Sequence, residues 1–331
     1  MLSLPKLCCS SSVRASALRQ LPKFTFTRTL AQDARQSVRR TRVKTFREHV
    51  ATPAGDGAFT IGKGALAGGA LLGIGALGYY GLGFSNETGA LEASVVWPEY
   101  VKERIRTTYM YFGGSLMITA ASAMSAFRSP LIMNIVTKNG FMGLFISLGA
   151  ILGTGMIAQG IRYKEGFGLK QIAWIGHTAT MGALLAPLCF LGGPLLIRAA
   201  WYTAGIVGGL SAIAVCAPSE RFLTMGGPLA MGLGVVFASS VGSMFLPPTT
   251  ALGAGLYSVS LYGGLLLFSA FILYDTQRII AKAERYPTTP GHYNVAPYDP
   301  INAAMSVYLD TLNIFIRLAT ILAGGGSSRK K

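Results

Sequence analysis

Eight stretches of roughly twenty mostly apolar residues punctuate this chain, at about 62–84, 107–127, 140–161, 171–191, 194–217, 226–246, 253–275 and 301–323. About twenty such residues are what an α-helix needs to cross the hydrocarbon core of a bilayer. Lipid offers no hydrogen bonds, so a spanning segment must satisfy its backbone internally, and closely spaced spans of this length form helices. The expected fold is therefore an all-α polytopic membrane protein. Charge content agrees: 13% of the 331 residues are charged, about half the share of a soluble domain. The first stretch stands apart, with glycines at 64, 68, 69, 73, 75, 78, 81 and 83, a density that suits close helix–helix packing. The expected organisation is a presequence and basic arm at 1–47, a glycine-rich transmembrane helix with its connector at 48–106, a seven-segment bundle at 107–323, and a basic tail at 324–331. Most connections are short. The exceptions are 85–106 and 276–300, the latter carrying Pro287, Pro290, Pro297 and Pro300.

The formal charge of +16 is uneven. Residues 1–50 hold 11 of the 29 Lys and Arg but 2 of the 13 Asp and Glu. Most of the basicity thus belongs to a leader rich in Arg, Ser and Thr, the pattern of a mitochondrial presequence. Nucleic-acid binding is a poor reading of it. Cys8 and Cys9 would leave with that leader, and Cys189 and Cys216 read as small hydrophobes in helices. Lys and Arg near the span ends put both termini on the matrix side, with Arg162, Lys164 and Lys170 opposite.

Two aspartates break the apolar pattern near the C-terminal end. Asp275 closes the run Leu265 to Tyr274, and Asp310 interrupts the run from Ala303 to Phe315. An ionisable group inside a membrane is costly and marks a functional site by default. Each aspartate is the other's obvious partner. On a helix, Asn302, Ser306, Asp310, Asn313 and Arg317 follow at spacings of four, four, three and four, so they share one stripe that must face protein or water. Two carboxylates in low dielectric cannot both ionise cheaply and share a proton. Carboxylate oxygens are also the usual ligands of calcium, though two carboxylates fall short of a closed cage of 6–8 oxygens. A proton and a transient calcium ion competing for Asp275 and Asp310 is the minimum needed for exchange or pH gating.

The remaining polar groups have plainer readings. His177 reads as a hydrogen-bonded packing residue, and Arg162 and Arg198 lie near enough to span ends to snorkel to the interface. No familiar catalytic spacing is present, no pair of His or Cys is placed for zinc or haem, and no cofactor is expected. An intramembrane aspartyl protease would need a Gly-x-Gly-Asp motif, and Asp310 follows Val307-Tyr308-Leu309 instead.

Leu273-Tyr274-Asp275-Thr276-Gln277, some 35 residues ahead of Tyr308-Leu309-Asp310-Thr311-Leu312-Asn313-Ile314-Phe315, resembles the paired signature of the Bax inhibitor (transmembrane Bax inhibitor motif) family over residues 105–323. The resemblance implies a seven-helix bundle, here with one extra N-terminal helix. It makes Asp275 and Asp310 a di-aspartyl pH sensor that gates calcium, with Ser306 and Asn313 in support. In bacterial relatives an arginine latches the first aspartate, and Arg162 is the candidate for that role here. The leader, the extra helix and the run Arg106 to Phe112 resemble a mitochondrial branch of the family. That branch implies the inner membrane, calcium/proton exchange, a part in cristae organisation and apoptosis control, and partners that include inner-membrane proteins and cytochrome c. A rival reading makes the protein a structural scaffold of the inner membrane, with the aspartate pair locking two helices.

Overall fold

The computed structural model describes residues 57–81, 97–138, 140–218, 220–286 and 297–327, with single positions at 84, 89 and 95. Residues 1–56, which include the expected presequence, the tail after residue 327 and parts of both long connectors, 287–296 among them, lie outside the described residues. Within them every regular element is helical, and one isolated bridge joins Gly89 to Pro218. The helices are α1 (Gly57–Gly81), α2 (Glu99–Arg128), α3 (Pro130–Lys138), α4 (Gly140–Gly160), α5 (Leu169–Leu185), α6 (Gly193–Cys216), α7 (Gly226–Phe245), α8 (Ala251–Ser258), α9 (Gly264–Arg285) and α10 (Pro300–Ser327).

Among the described residues, seven helical stretches are long and apolar enough to cross a membrane, the first at Phe59–Tyr80 and the last at Pro300–Gly324. The protein is a multi-pass membrane protein. The eighth expected segment, 140–161, is helical too, but its apolar run among the described residues is the shorter Phe145–Gly160. Two helices outrun their hydropathy. α2 starts at Glu99 rather than near 107, because its charged first turns pair internally, Lys102 with Glu99 at 3.9 Å and Arg106 with Glu103 at 3.8 Å. Such i,i+3 pairs stabilise a helix start without adding apolar residues. α9 likewise continues ten residues past Asp275. Ile279, Ile280 and Ala283 keep its buried stripe going, so Asp275 sits in the middle of a helix and not at its end.

α10 is the central helix. More of it is buried than of any other span, and it packs on α2, α6 and α9. The chief core cluster gathers Phe268, Ile272 and Ile279 of α9 with Val307 and Ile314 of α10, Val101 of α2 and Val207 of α6. α1 lies outside this core against α6, α8 and the π-helical turn Val259–Gly263. Its half-buried positions 59, 62, 66, 69, 73 and 76 recur every three or four residues, with 78 and 80 widening the stripe at its end.

α2 and α5 form the tightest helix pair, and small residues are the reason. Ser122 donates to the Ala179 carbonyl at 2.6 Å, Thr119 to the Thr178 carbonyl at 3.2 Å, and Trp174 Nε1 to Ser115 Oγ at 2.8 Å. Backbones come this close only where no side chain intervenes. A Cβ at Gly182 would stand 2.3 Å from the Thr119 carbonyl oxygen. Because the obstacle is backbone, relief requires the helices to part. Gly182→Val is expected to cost about 3 kcal/mol or more, at the upper end of overpacking penalties, seen as a lowered thermal midpoint in detergent.

Candidate functional site

α9 and α10 pack side by side, and each turns one carboxylate into their interface. Asp275 is 4% exposed and Asp310 is 7% exposed. The two carboxyl groups lie within hydrogen-bonding reach of each other, with the Ser306 hydroxyl beside Asp275. Asp310 Oδ2 is buried and meets no N–H or hydroxyl donor of another residue, so the partner left to this carboxyl group is Asp275. The pair is therefore a polar site in an apolar interior, which is costly unless it has a use. Among the described residues no group of three or more His, Cys, Asp and Glu side chains is placed to hold a metal ion. The Asp275, Asp310 and Ser306 oxygens are thus the side-chain donors gathered at this point.

The rest of the α10 stripe extends the polar line in both directions. Toward the N-terminal end, Asn302 accepts from Lys170 Nζ at 2.8 Å and donates to the Gln159 carbonyl at 3.2 Å. Toward the C-terminal end, Asn313 accepts from Arg317 Nη1 at 2.9 Å. Arg317 also donates through Nε to the Ser260 carbonyl at 3.1 Å, and its guanidinium lies 4.6 Å from the Phe268 ring centroid. Ser260 belongs to the π-helical turn, where the wider winding frees a carbonyl from the normal ladder. Gly264 opens the notch that admits Arg317, since a Cβ there would meet Nε at 2.1 Å.

Comparison with known proteins decides the family. The family profile described as inhibitor of apoptosis-promoting Bax1 matches residues 101–328, which is more than two thirds of the chain. The chain belongs to the Bax inhibitor-1 family. It is 53% identical to the growth hormone-inducible transmembrane protein of Rattus norvegicus over 91% of this chain and 89% of that one. Bax inhibitor 1 of Rattus norvegicus is 27% identical, covering 70% of this chain and 89% of the relative. Bax inhibitor 1 of Drosophila melanogaster is 27% identical over 67% and 83%. The matched region contains both aspartates and starts after α1, so the glycine-rich helix stands outside the family domain.

Within this family domain the cation at Asp275 is Arg278, whose Nη1 lies 3.7 Å from Asp275 Oδ1. It is the third residue along on the same helix face, and i,i+3 spacing was the signal that could have found it. Arg162 is exposed, lies on the rim of a cavity at the bundle end, and is in none of the ion pairs among the described residues. Ser306 is brought to the pair, while Asn313 faces Arg317 instead.

Four further polar residues have roles that no sequence pattern assigned. Lys170, 1% exposed at its side chain, pairs with Asp299 at 2.8 Å. Asp299 in turn caps α10, accepting from the Asn302 backbone N–H at 2.9 Å just ahead of Pro300, the N-cap and N1 preferences in adjacent residues. Fully buried Gln277 ties α9 to the α6–α7 loop, donating to the Pro218 carbonyl at 2.7 Å and accepting from the Phe222 N–H at 2.7 Å. His177 accepts or donates at Nδ1 to Thr154 at 2.9 Å, the contact of a packing residue, and its Nε2 is buried without a partner.

Proposed function

We propose that the chain is a pH-dependent calcium pathway, run as calcium/proton exchange or as a proton-gated passage, with Asp275 and Asp310 as its ion site. The observation that carries this reading is the buried carboxyl pair, each group within hydrogen-bonding reach of the other and no donor from another residue against Asp310 Oδ2. An ionised carboxylate only accepts hydrogen bonds, so two carboxyls that bond to each other hold a proton between them. When that proton leaves, two negative charges remain in low dielectric, and a divalent cation is the ligand that offsets both. Calcium prefers oxygen donors at 6–8 places. Asp275, Asp310 and Ser306 supply a minority of these, and water and backbone carbonyls complete the shell. A site that is only part protein holds the ion weakly, as transport requires.

Arg278, half-exposed beside Asp275, takes the latch role in this reading: it balances the pair when calcium is absent and swings away when calcium arrives. The mitochondrial inner membrane is the proposed location, on the composition of the Arg-rich leader, with cristae organisation, apoptosis control and contact with inner-membrane proteins and cytochrome c as the accompanying roles. The full chain in liposomes under imposed pH and calcium gradients tests the activity. Calcium entry is expected to rise with pH and to drive protons the opposite way. Liposomes that stay calcium-tight at every pH would leave the scaffold reading in possession.

A further inference from the structure

An open cavity of about 240 Å³ lies at the end of the bundle where α4 and α9 finish and α10 begins. That is space for roughly eight waters at about 30 Å³ each. Its wall includes Arg162, Lys282, Asp299, Tyr163 and Tyr298. The charges on this wall do not cancel. Asp299 is already neutralised by Lys170 through Oδ2, and its Oδ1 is engaged by the α10 backbone. Arg162 and Lys282 make none of the ion pairs or side-chain hydrogen bonds found among the described residues: Arg162 is exposed on the rim, and Lys282 is drawn by the charges of Asp275 and Asp299 without pairing directly with either, so both bring donors to the space. The α9 C-terminal carbonyls, which would attract them, are occupied: Arg104 donates to those of Ala283 and Tyr286 at 2.8 Å each. Exposed Glu165, near Tyr163, and exposed Glu284, on the last turn of α9, are acids at this end that lie off the cavity wall.

We propose that this cavity is a binding site for a phosphate group. Phosphate accepts several charge-assisted hydrogen bonds, and a guanidinium and an ammonium are its usual donors. The Tyr163 hydroxyl adds a neutral group, while the Tyr298 hydroxyl is committed to Thr108 Oγ1 at 2.7 Å, because the Thr108 hydroxyl itself donates to the Arg104 carbonyl at 2.8 Å. Tyr298 is held protonated, its pKa pushed up by burial to about 12, with hydrogen bonding to Thr108 and the charge of Arg104 pulling the other way. Cation-lined pockets between helices at a membrane face are where anionic head groups settle, and tyrosines suit the same level of the bilayer. The chemistry fits a lipid phosphate and free inorganic phosphate alike. Either would clip two elements together, since Arg162 follows α4 and Lys282 sits on α9.

Thermal unfolding of the full chain in nanodiscs tests this. One arm uses phosphatidylcholine discs titrated with inorganic phosphate against chloride of equal ionic strength. The other replaces part of the phosphatidylcholine with phosphatidylglycerol. Stabilisation in the first arm identifies free phosphate as a ligand, and stabilisation confined to the second identifies the lipid head group. In whichever arm responds, Arg162→Gln is expected to weaken apparent binding about tenfold, the loss of one charge-assisted donor. Lys164→Gln removes the same charge two residues away but outside the cavity wall, and should leave the response unchanged. The proposal is overturned if neither arm stabilises the protein, if Arg162→Gln responds like wild type, or if Lys164→Gln weakens the response as much, which would mean surface charge alone.

Discussion

Lys170→Met is expected to destabilise the protein by about 3–5 kcal/mol, the range for removing one partner of a buried ion pair. The lysine side chain is 1% exposed and its ammonium is held by Asp299 Oδ2 at 2.8 Å and Asn302 Oδ1 at 2.8 Å. The Gln159 carbonyl stands at 3.4 Å. Methionine is unbranched and follows the lysine stem out to Cε, one atom short of Nζ, so most of the packing survives and the loss is mainly electrostatic. What remains is a carboxylate 18% exposed at the start of the central helix, stripped of its direct ion pair and left with the more distant charge of Lys282. Asp299→Asn in the same protein should recover much of the loss, because asparagine still caps α10 while shedding the orphaned charge. Chemical denaturation in detergent of the two single variants and the double variant reads the coupling. A sum of independent effects would mean that the pair contributes little and that Lys170 matters only as volume.

How far the sequence revealed this arrangement depends on the kind of signal each part leaves. Spans were visible because twenty apolar residues in a row leave the backbone no choice in lipid. The polar line on α10 was visible because a helix repeats every three or four residues, and Asn302, Ser306, Asp310 and Arg317 obey that period. Helix ends were not. Glu99 to Arg106 and Gln277 to Arg285 look like connectors by hydropathy, yet ion pairs in the one and a buried Ile279–Ala283 stripe in the other keep them helical. Nor could Lys170 be matched to Asp299, 129 positions away and joined only through the packing of α5 against the start of α10. The resting place of Arg317 was hidden for another reason. It depends on a π-helical turn and on the missing side chain of Gly264, and one glycine among 42 carries no mark of which helix it will admit.

The central claim is that Asp275 and Asp310 act as one protonation unit through which calcium passes. Asparagine at either position keeps size and hydrogen bonding while removing charge and titration. Calcium flux into liposomes, measured across a series of pH values for wild type, Asp275→Asn, Asp310→Asn and the double variant, tests the claim most directly, with thermal midpoints confirming that each variant is folded. Wild-type flux should rise with pH as the shared proton leaves. Each single variant should flatten that dependence, and the double variant should add little to either, because residues that work as a unit are non-additive. Folded single variants that carry calcium with the wild-type pH dependence would contradict the account and leave the pair as a lock between two helices.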